Sequence, residues 1–190
     1  QLLDKKAEDW KLYWQDENTE LVHFIGKDNI VFHCITFPAI LKATEQYILP
    51  ENVPANEFMN LQGDKISTSR NWAVWLHEYL EEFPGKEDEL RYTLMANMPE
   101  NKDSEFTWQD FQAKVNNELV ANLGNFINRV VVLMHKYYQG VIPEIKQSQL
   151  NETDLQVLAS IHISAEKIAQ SIEHFKFRDA LSAFNELSSI

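Results

Sequence analysis

Cysteine is almost missing from this chain: of 190 residues, Cys34 alone carries a thiol. That excludes a disulfide framework and any multi-cysteine zinc site within the chain. It suits a reducing compartment, so the expected localisation is cytoplasmic. Cys34 lies in an apolar run and is expected to be a packed, inert thiol. Long hydrophobic runs and a charged–apolar–small leader are also lacking, so no membrane partner is expected. Basic charge is scarce: 17 Lys and Arg stand against 29 Asp and Glu, a net charge of −12. At first sight that argues against a nucleic-acid partner. The deficit is uneven, however. Residues 1–106 hold 10 basic and 20 acidic side chains, whereas 107–138 hold 3 and 2. A local cationic face remains compatible with the overall acidity.

What is present reads as α/β followed by all-α. Leu21–Ile25 has the apolar, β-branched and aromatic content of a short buried strand. Gly26 offers a tight turn, and Asp28 is placed to cap a helix from Asn29 to about Glu45, bent at Pro38. Strand, glycine turn and capped helix make half of a βαβ unit. A second strand is expected over Asn56–Leu61, ending at Gln62-Gly63-Asp64. After a polar loop at Lys65–Arg70, only helices are expected: about 72–82 and 86–97, then 107–138, 151–173 and 176–189. Thr107 resembles a cap before the long run. In that run Trp108, Phe111, Val115, Leu119, Leu123, Ile127, Val130, Met134 and Tyr137 form one stripe of the kind that faces a core. Gly140 and Pro143 end it. The chain opens on Gln1 rather than Met and ends within a helical pattern. A segment of something longer is expected from that, although a processed terminus would look the same.

Three groups of residues carry chemistry. Lys65-Ile-Ser-Thr-Ser-Arg70 packs two cationic and three hydroxyl side chains into six residues, a loop able to donate to phosphate oxygens. On composition alone a solvated basic turn is the simpler reading. Gly26-Lys27-Asp28, with His33 on the next helix, lies at the C-terminal end of a strand, where α/β sheets bind nucleotides. Taken alone, Asp28 as a cap and His33 as packing remain the plainer account. At 100° per residue, Lys114, Glu118, Asn122, Asn125, Arg129 and Lys136 share one face. Without further information that face is a solvated one. His77, His135, His162 and His174 show no metal-ligand spacing, and no Ser/His/Asp or Cys/His grouping stands out.

In order and spacing, these stretches resemble one family. His23-Phe-Ile-Gly-Lys-Asp-Asn-Ile-Val-Phe-His33 resembles the GKD-x-x-x-FH segment of methionyl-tRNA synthetases, and Lys65-Ile-Ser-Thr-Ser69 resembles the KMSKS loop of class I aminoacyl-tRNA synthetases. The loop points to the class; the GKD…FH segment points to the methionine enzyme. Glu105–Phe111 and Asn122–Arg129 are similar to that family's junction and first anticodon-domain helix. The resemblance implies three parts: 1–64, the second half of a Rossmann-like nucleotide-binding domain; 65–106, the phosphate loop and a stem-contact module; 107–190, an incomplete helix-bundle anticodon-binding domain.

By the same resemblance, Gly26 and Asp28 hold the adenosine ribose, the backbone at Met59 meets adenine, and His33 lies beside the methionine pocket. Lys65, Ser67 and Ser69 would stabilise charge as pyrophosphate leaves. Asn125 and Arg129 would read the anticodon, an amide and a guanidinium being suited to splayed bases. The implied substrates are ATP with Mg²⁺, methionine and methionine tRNA, with no metal site in this chain. Thr68 stands where the family has its second lysine, so either Arg70 substitutes or the first chemical step relies on other groups. The family's HIGH segment is found nowhere in the sequence, so the chain by itself is expected to be inactive. The alternatives are another class I synthetase, or a non-catalytic module derived from one.

Overall fold

The computed structural model describes residues 6–188. The chain divides into two compact units: residues up to Phe58 with Pro99–Asp103, and Met59–Met98 with Ser104 onwards.

The first unit is a βαβ arrangement with very short strands. After α1 (Lys11–Trp14), β1 (Leu21–Val22) pairs in parallel with β3 (Pro50–Asn52), and β2 (Ile25–Gly26) with β4 (Ala55–Asn56). The crossover begins as a 3₁₀ turn at Lys27–Asn29, widens to a π-helix over Phe32–Thr36, and finishes as α2 (Phe37–Thr44). The expected single bent helix is therefore three windings. Pro38 supplies the reason: it has no N–H for the carbonyl four residues back, and its ring crowds that carbonyl. Widening the preceding turn relieves both, with the Phe37 N–H donating to the Phe32 carbonyl instead. Cys34 lies in this π turn and is exposed, which corrects the packed thiol expected above.

The strand expected over 56–61 is broken. Glu57 donates its N–H to the Pro99 carbonyl at 2.8 Å, and Phe58 donates to Asp103 Oδ1 at 3.0 Å. β5 (Met59–Leu61) then belongs to the second unit. It pairs in parallel with β7 (Ser104–Phe106), a strand missed in the sequence because three residues carry no periodicity. On its other side β6 (Asp64–Lys65) turns back antiparallel through Gln62 (φ 52°) and Gly63 (φ 83°). Positive φ at both central residues makes the two-residue turn that suits the twist of a hairpin.

α3 (Leu76–Glu82) and α4 (Glu87–Ala96) pack on this small sheet. The buried centre is Leu61, Tyr79, Leu90 and Phe106, with Phe83 and Phe111 against it. Phe106 meets Trp108 edge to face at 5.3 Å between centroids, a favoured aromatic geometry. The Tyr79 hydroxyl, which burial would otherwise strand, donates to the Lys86 carbonyl at 2.8 Å.

The long run from 108 to 138 is not one α-helix. α5 (Trp108–Lys114) starts at Thr107, whose hydroxyl accepts the Asp110 N–H at 3.0 Å as expected of a cap. Val115–Gly124 then winds as a π-helix before α6 (Asn125–Tyr138). Gln139 (φ 56°) and Gly140 (φ 79°) stop α6, and the Gly140 N–H reaches back to the Met134 carbonyl. α7 (Glu152–Glu173) opens with a reciprocal capping box between Asn151 and Asp154. α8 (Phe177–Leu187) follows; position 189 of the expected helix lies outside the described residues. α8 packs on α7, α4 and the π segment. The apolar stripe is accordingly covered at Val115, Leu119 and Leu123, whereas Ile127, Val130 and Tyr137 on α6 are exposed. No helix among the described residues is long and apolar enough to cross a membrane.

Candidate functional site

In the first unit the turn after β2 is built by side chains. Gly26 has φ −87°, so it is not there for left-handed backbone. A Cβ on it would lie 2.7 Å from Asp28 Oδ1: the carboxylate folds over the glycine and would have to swing aside for any side chain. Asp28 makes no helix cap, since Gly26 occupies the cap position, and its side chain is exposed. Lys27 holds the turn. Its ammonium donates to Asp103 Oδ1 at 2.8 Å and to Glu57, and lies 4.5 Å from the centre of the Phe58 ring. The Asp103 and Glu57 carboxylates raise the Lys27 pKa; Lys27, helped by the Phe58 N–H, lowers that of Asp103. The cation is thus spent on positioning the Gly-Asp turn.

His33 lies in the π turn, half-buried, with Nδ1 at 3.2 Å from His23 Nδ1. His23 sits between β1 and β2 and donates its backbone N–H to the Asn52 carbonyl. Burial lowers its pKa, and His33 lowers it further. His23 opens the segment that suggested the family, yet spacing alone gave it no role.

In the second unit, β6 ends the hairpin at Lys65 and delivers the hydroxyl loop. Ser67 and Trp72 exchange backbone bonds at 2.9 Å in both directions, closing a tight loop with Asn71 at φ 53°. The Ser67 and Ser69 hydroxyls face each other at 3.1 Å. Arg70 donates to the Lys65 carbonyl at 2.8 Å, with Asp64 at 3.7 Å. The guanidinium thus staples the loop to its own backbone. Thr68 is exposed. Met59 pairs with Ser104 on one side, while the β6 register stops at Asn60.

The expected polar face of the long helix divides at the π segment. Each residue of a wider turn advances by less than 100°, so ten such residues shift the face. Glu118 accepts from the Tyr92 hydroxyl at 2.5 Å, Asn185 donates to that hydroxyl at 2.6 Å, and Asn122 donates to the Asn185 carbonyl. Lys114 lies 3.6 Å from Glu118 and 3.7 Å from Asp110. These residues tie the helix to α4 and α8. Burial and the Glu118 carboxylate push the Tyr92 pKa up to about 12. Asn125 and Arg129 remain exposed, and with Asn122, Phe126 and Ser188 they line a cavity of about 400 Å³. The Asn125 amide donates to the Ala121 carbonyl at 2.9 Å, which orients it.

Gly26, Lys27 and Asp28 thus share one turn, Lys65 to Arg70 one closed loop, and Asn125 and Arg129 one helix. An α/β unit followed by helices, with a GKD turn and a KMSKS-like loop, is the pattern of the class I aminoacyl-tRNA synthetases. The family model for class I tRNA synthetases (M) matches residues 1–131, and the chain belongs to that family. It is 60% identical over 187 residues to the methionine–tRNA ligase of Christiangramia forsetii, covering 98% of this chain and 27% of that protein. Against the methionine–tRNA ligase of Flavobacterium johnsoniae it is 63% identical over 177 residues, covering 93% of this chain and 25% of that one. The chain thus spans about a quarter of the length of these curated relatives. In fold it is similar to Mycobacterium tuberculosis methionyl-tRNA synthetase bound by methionyl-adenylate, with a TM-score of 0.78 at 24% identity over 91% of this chain and 33% of that one.

Proposed function

We propose that the chain is a stretch of a cytoplasmic methionine–tRNA ligase. It would run from the second half of the Rossmann-like catalytic domain (1–64), through the phosphate loop and stem-contact module (65–106), into the helical anticodon-binding domain (107–190). The observation that carries this reading is identity near 60% to methionine–tRNA ligases over almost the whole chain. The adenylate complex of the mycobacterial relative agrees with it.

The reaction has two steps. A methionine carboxylate oxygen attacks the α-phosphorus of ATP and pyrophosphate leaves; the terminal ribose hydroxyl of the tRNA then takes the methionyl group from the adenylate. Gly26 and Asp28 hold the ribose, a role supported by the carboxylate folded over the glycine. The Met59 backbone meets adenine, and His33 borders the methionine side chain. Lys65, Ser67 and Ser69 stabilise charge on the departing pyrophosphate, in a loop whose closed backbone bonds pre-organise those groups. Mg²⁺ would accompany the ATP. Asn125 and Arg129 take anticodon bases at the cavity beside them.

In the full-length enzyme, Lys65→Ala should lower methionine-dependent pyrophosphate exchange on the order of 10²-fold while methionine binding barely changes. The 190-residue chain alone should show no exchange. Arg129→Ala should spare exchange and weaken aminoacylation by about 1–3 kcal/mol, with a loss that depends on the anticodon sequence. Unchanged single-turnover adenylation in Lys65→Ala would remove the loop from the active site; equal losses on cognate and altered anticodons would make Arg129 an ordinary surface cation.

A further inference from the structure

We propose that His23 is a positioning residue that fixes the tautomer of His33, so that His33 presents a protonated Nε2 to the methionine thioether. The proposal rests on the methionine-pocket reading of His33 given above, and it starts from one contact. The two Nδ1 atoms lie 3.2 Å apart, with the rings nearly perpendicular at 80° and centroids at 5.1 Å. At that separation two N–H groups facing each other repel, and so do two lone pairs. The contact is attractive only with a single proton between the nitrogens. One ring is then the Nδ1–H donor. The other accepts at Nδ1, and when neutral it must carry its own proton on Nε2.

Both rings are held where they meet. His23 is pinned at its backbone by Asn52, and its ring lies 5.6 Å from that of Phe37. His33 is flanked by Phe32 at 5.4 Å and Phe37 at 6.3 Å, and the π turn sets its direction. Burial and the neighbouring ring both favour neutral His23.

Substrate chemistry chooses the direction of the proton. A thioether sulfur accepts weakly and donates nothing, so a histidine that recognises it must offer N–H. If His33 donated Nδ1–H to His23, a neutral His33 would turn a lone pair on Nε2 toward the sulfur, and the contact would be repulsive. With His23 as donor, His33 keeps Nε2–H for the ligand. The pair thus separates methionine from norleucine, which replaces the sulfur by a methylene and accepts nothing.

The test uses the full-length enzyme and three variants. His23→Phe removes the donor and keeps an aromatic ring against Phe37; His23→Asn keeps an N–H donor near the same place; His33→Ala removes the recognising ring. His23→Phe should raise KM for methionine about three- to ten-fold, the effect of one mis-set hydrogen bond. The KM for ATP should stay unchanged, preference over norleucine should fall by a similar factor, and His23→Asn should recover most of both. Ring ¹⁵N spectra of the full-length enzyme at neutral pH should show His33 protonated at Nε2 and His23 at Nδ1. Reversed tautomers, or no loss of norleucine discrimination in His23→Phe while His33→Ala loses it, would overturn the proposal. If His33→Ala itself leaves methionine KM unchanged, the methionine-pocket reading fails instead, whatever the spectra show.

Discussion

Phe32–Thr36 and Val115–Gly124 both wind as π-helix, and each lies in or next to residues proposed to hold a ligand. Their causes differ. In the first, Pro38 leaves a carbonyl without its donor, so the widening is written into the local covalent chain. The second contains no proline. There, Glu118 and Asn122 are bonded to Tyr92 and Asn185, 26 and 63 positions away in sequence, and those tertiary bonds hold the phase of the helix. One site is shaped by its own residues, the other by partners on α4 and α8. The two should respond differently to substitution.

The largest effect is expected where the tertiary bonds converge. Tyr92→Phe deletes the hydroxyl that donates to the Glu118 carboxylate and accepts from the Asn185 amide. Losing two such hydrogen bonds costs about 1–3 kcal/mol, readable as a lowered urea midpoint. The pH dependence has a fixed sign. The folded-state pKa of Tyr92 is raised from 10.0 to about 12. Its contribution is therefore complete below pH 10 and is lost as pH climbs towards 12. The stability gap between wild type and Tyr92→Phe should narrow over that range. A gap below about 0.5 kcal/mol at neutral pH would mean that the winding is held by something else.

That contrast also sorts what the sequence could reveal. The crossover after β2, the Thr107 cap, the Asn151 start of α7 and the stop at Gly140 were legible because each depends on neighbours within a few residues. The Gly26–Asp28 turn and the Lys65–Arg70 loop stood out as well, because their residue types are unusual together. The split of the second strand at Glu57 and Phe58 was not legible, since its cause is Pro99 and Asp103, over 40 positions on. β7 was too short to show a period. The polar face from Lys114 to Lys136 was drawn with a single helical period, and π winding broke that assumption midway. Lys27 and His23 could be seen but not interpreted, because their partners are set by folding.

A smaller effect is expected at Pro38, where the covalent cause can be removed. Pro38→Ala restores an N–H able to bond the carbonyl four residues back, a gain of about 0.5–1.5 kcal/mol. It also frees the unfolded chain, a loss of about 0.4–1 kcal/mol. Stability should stay within about 1 kcal/mol of wild type. The turn, however, should tighten to α and rotate His33 away from its 3.2 Å contact with His23. A crystal structure of the variant decides it: a persistent π turn would show that Pro38 is not the cause.

The smallest change is expected at Gly124, and it tests the second segment directly. In an ordinary exposed α-helix, Gly→Ala stabilises by about 1 kcal/mol, through backbone entropy lost on folding. Gly124 closes the π segment with ordinary helical φ of −61°, so alanine is not barred by its dihedrals. A Cβ there would instead meet the Leu119 carbonyl oxygen at 3.1 Å. That oxygen is five residues back, and only i→i+5 winding brings it so near. It belongs to the backbone and has little freedom to retreat, so crowding should cancel the entropic gain. Gly124→Ala should therefore change the unfolding free energy by no more than a few tenths of a kcal/mol, or lower it slightly. A clear gain of about 1 kcal/mol would mean that Val115–Gly124 relaxes to an α-helix in solution, with Asn122 and Asn125 then sharing the face drawn from the sequence.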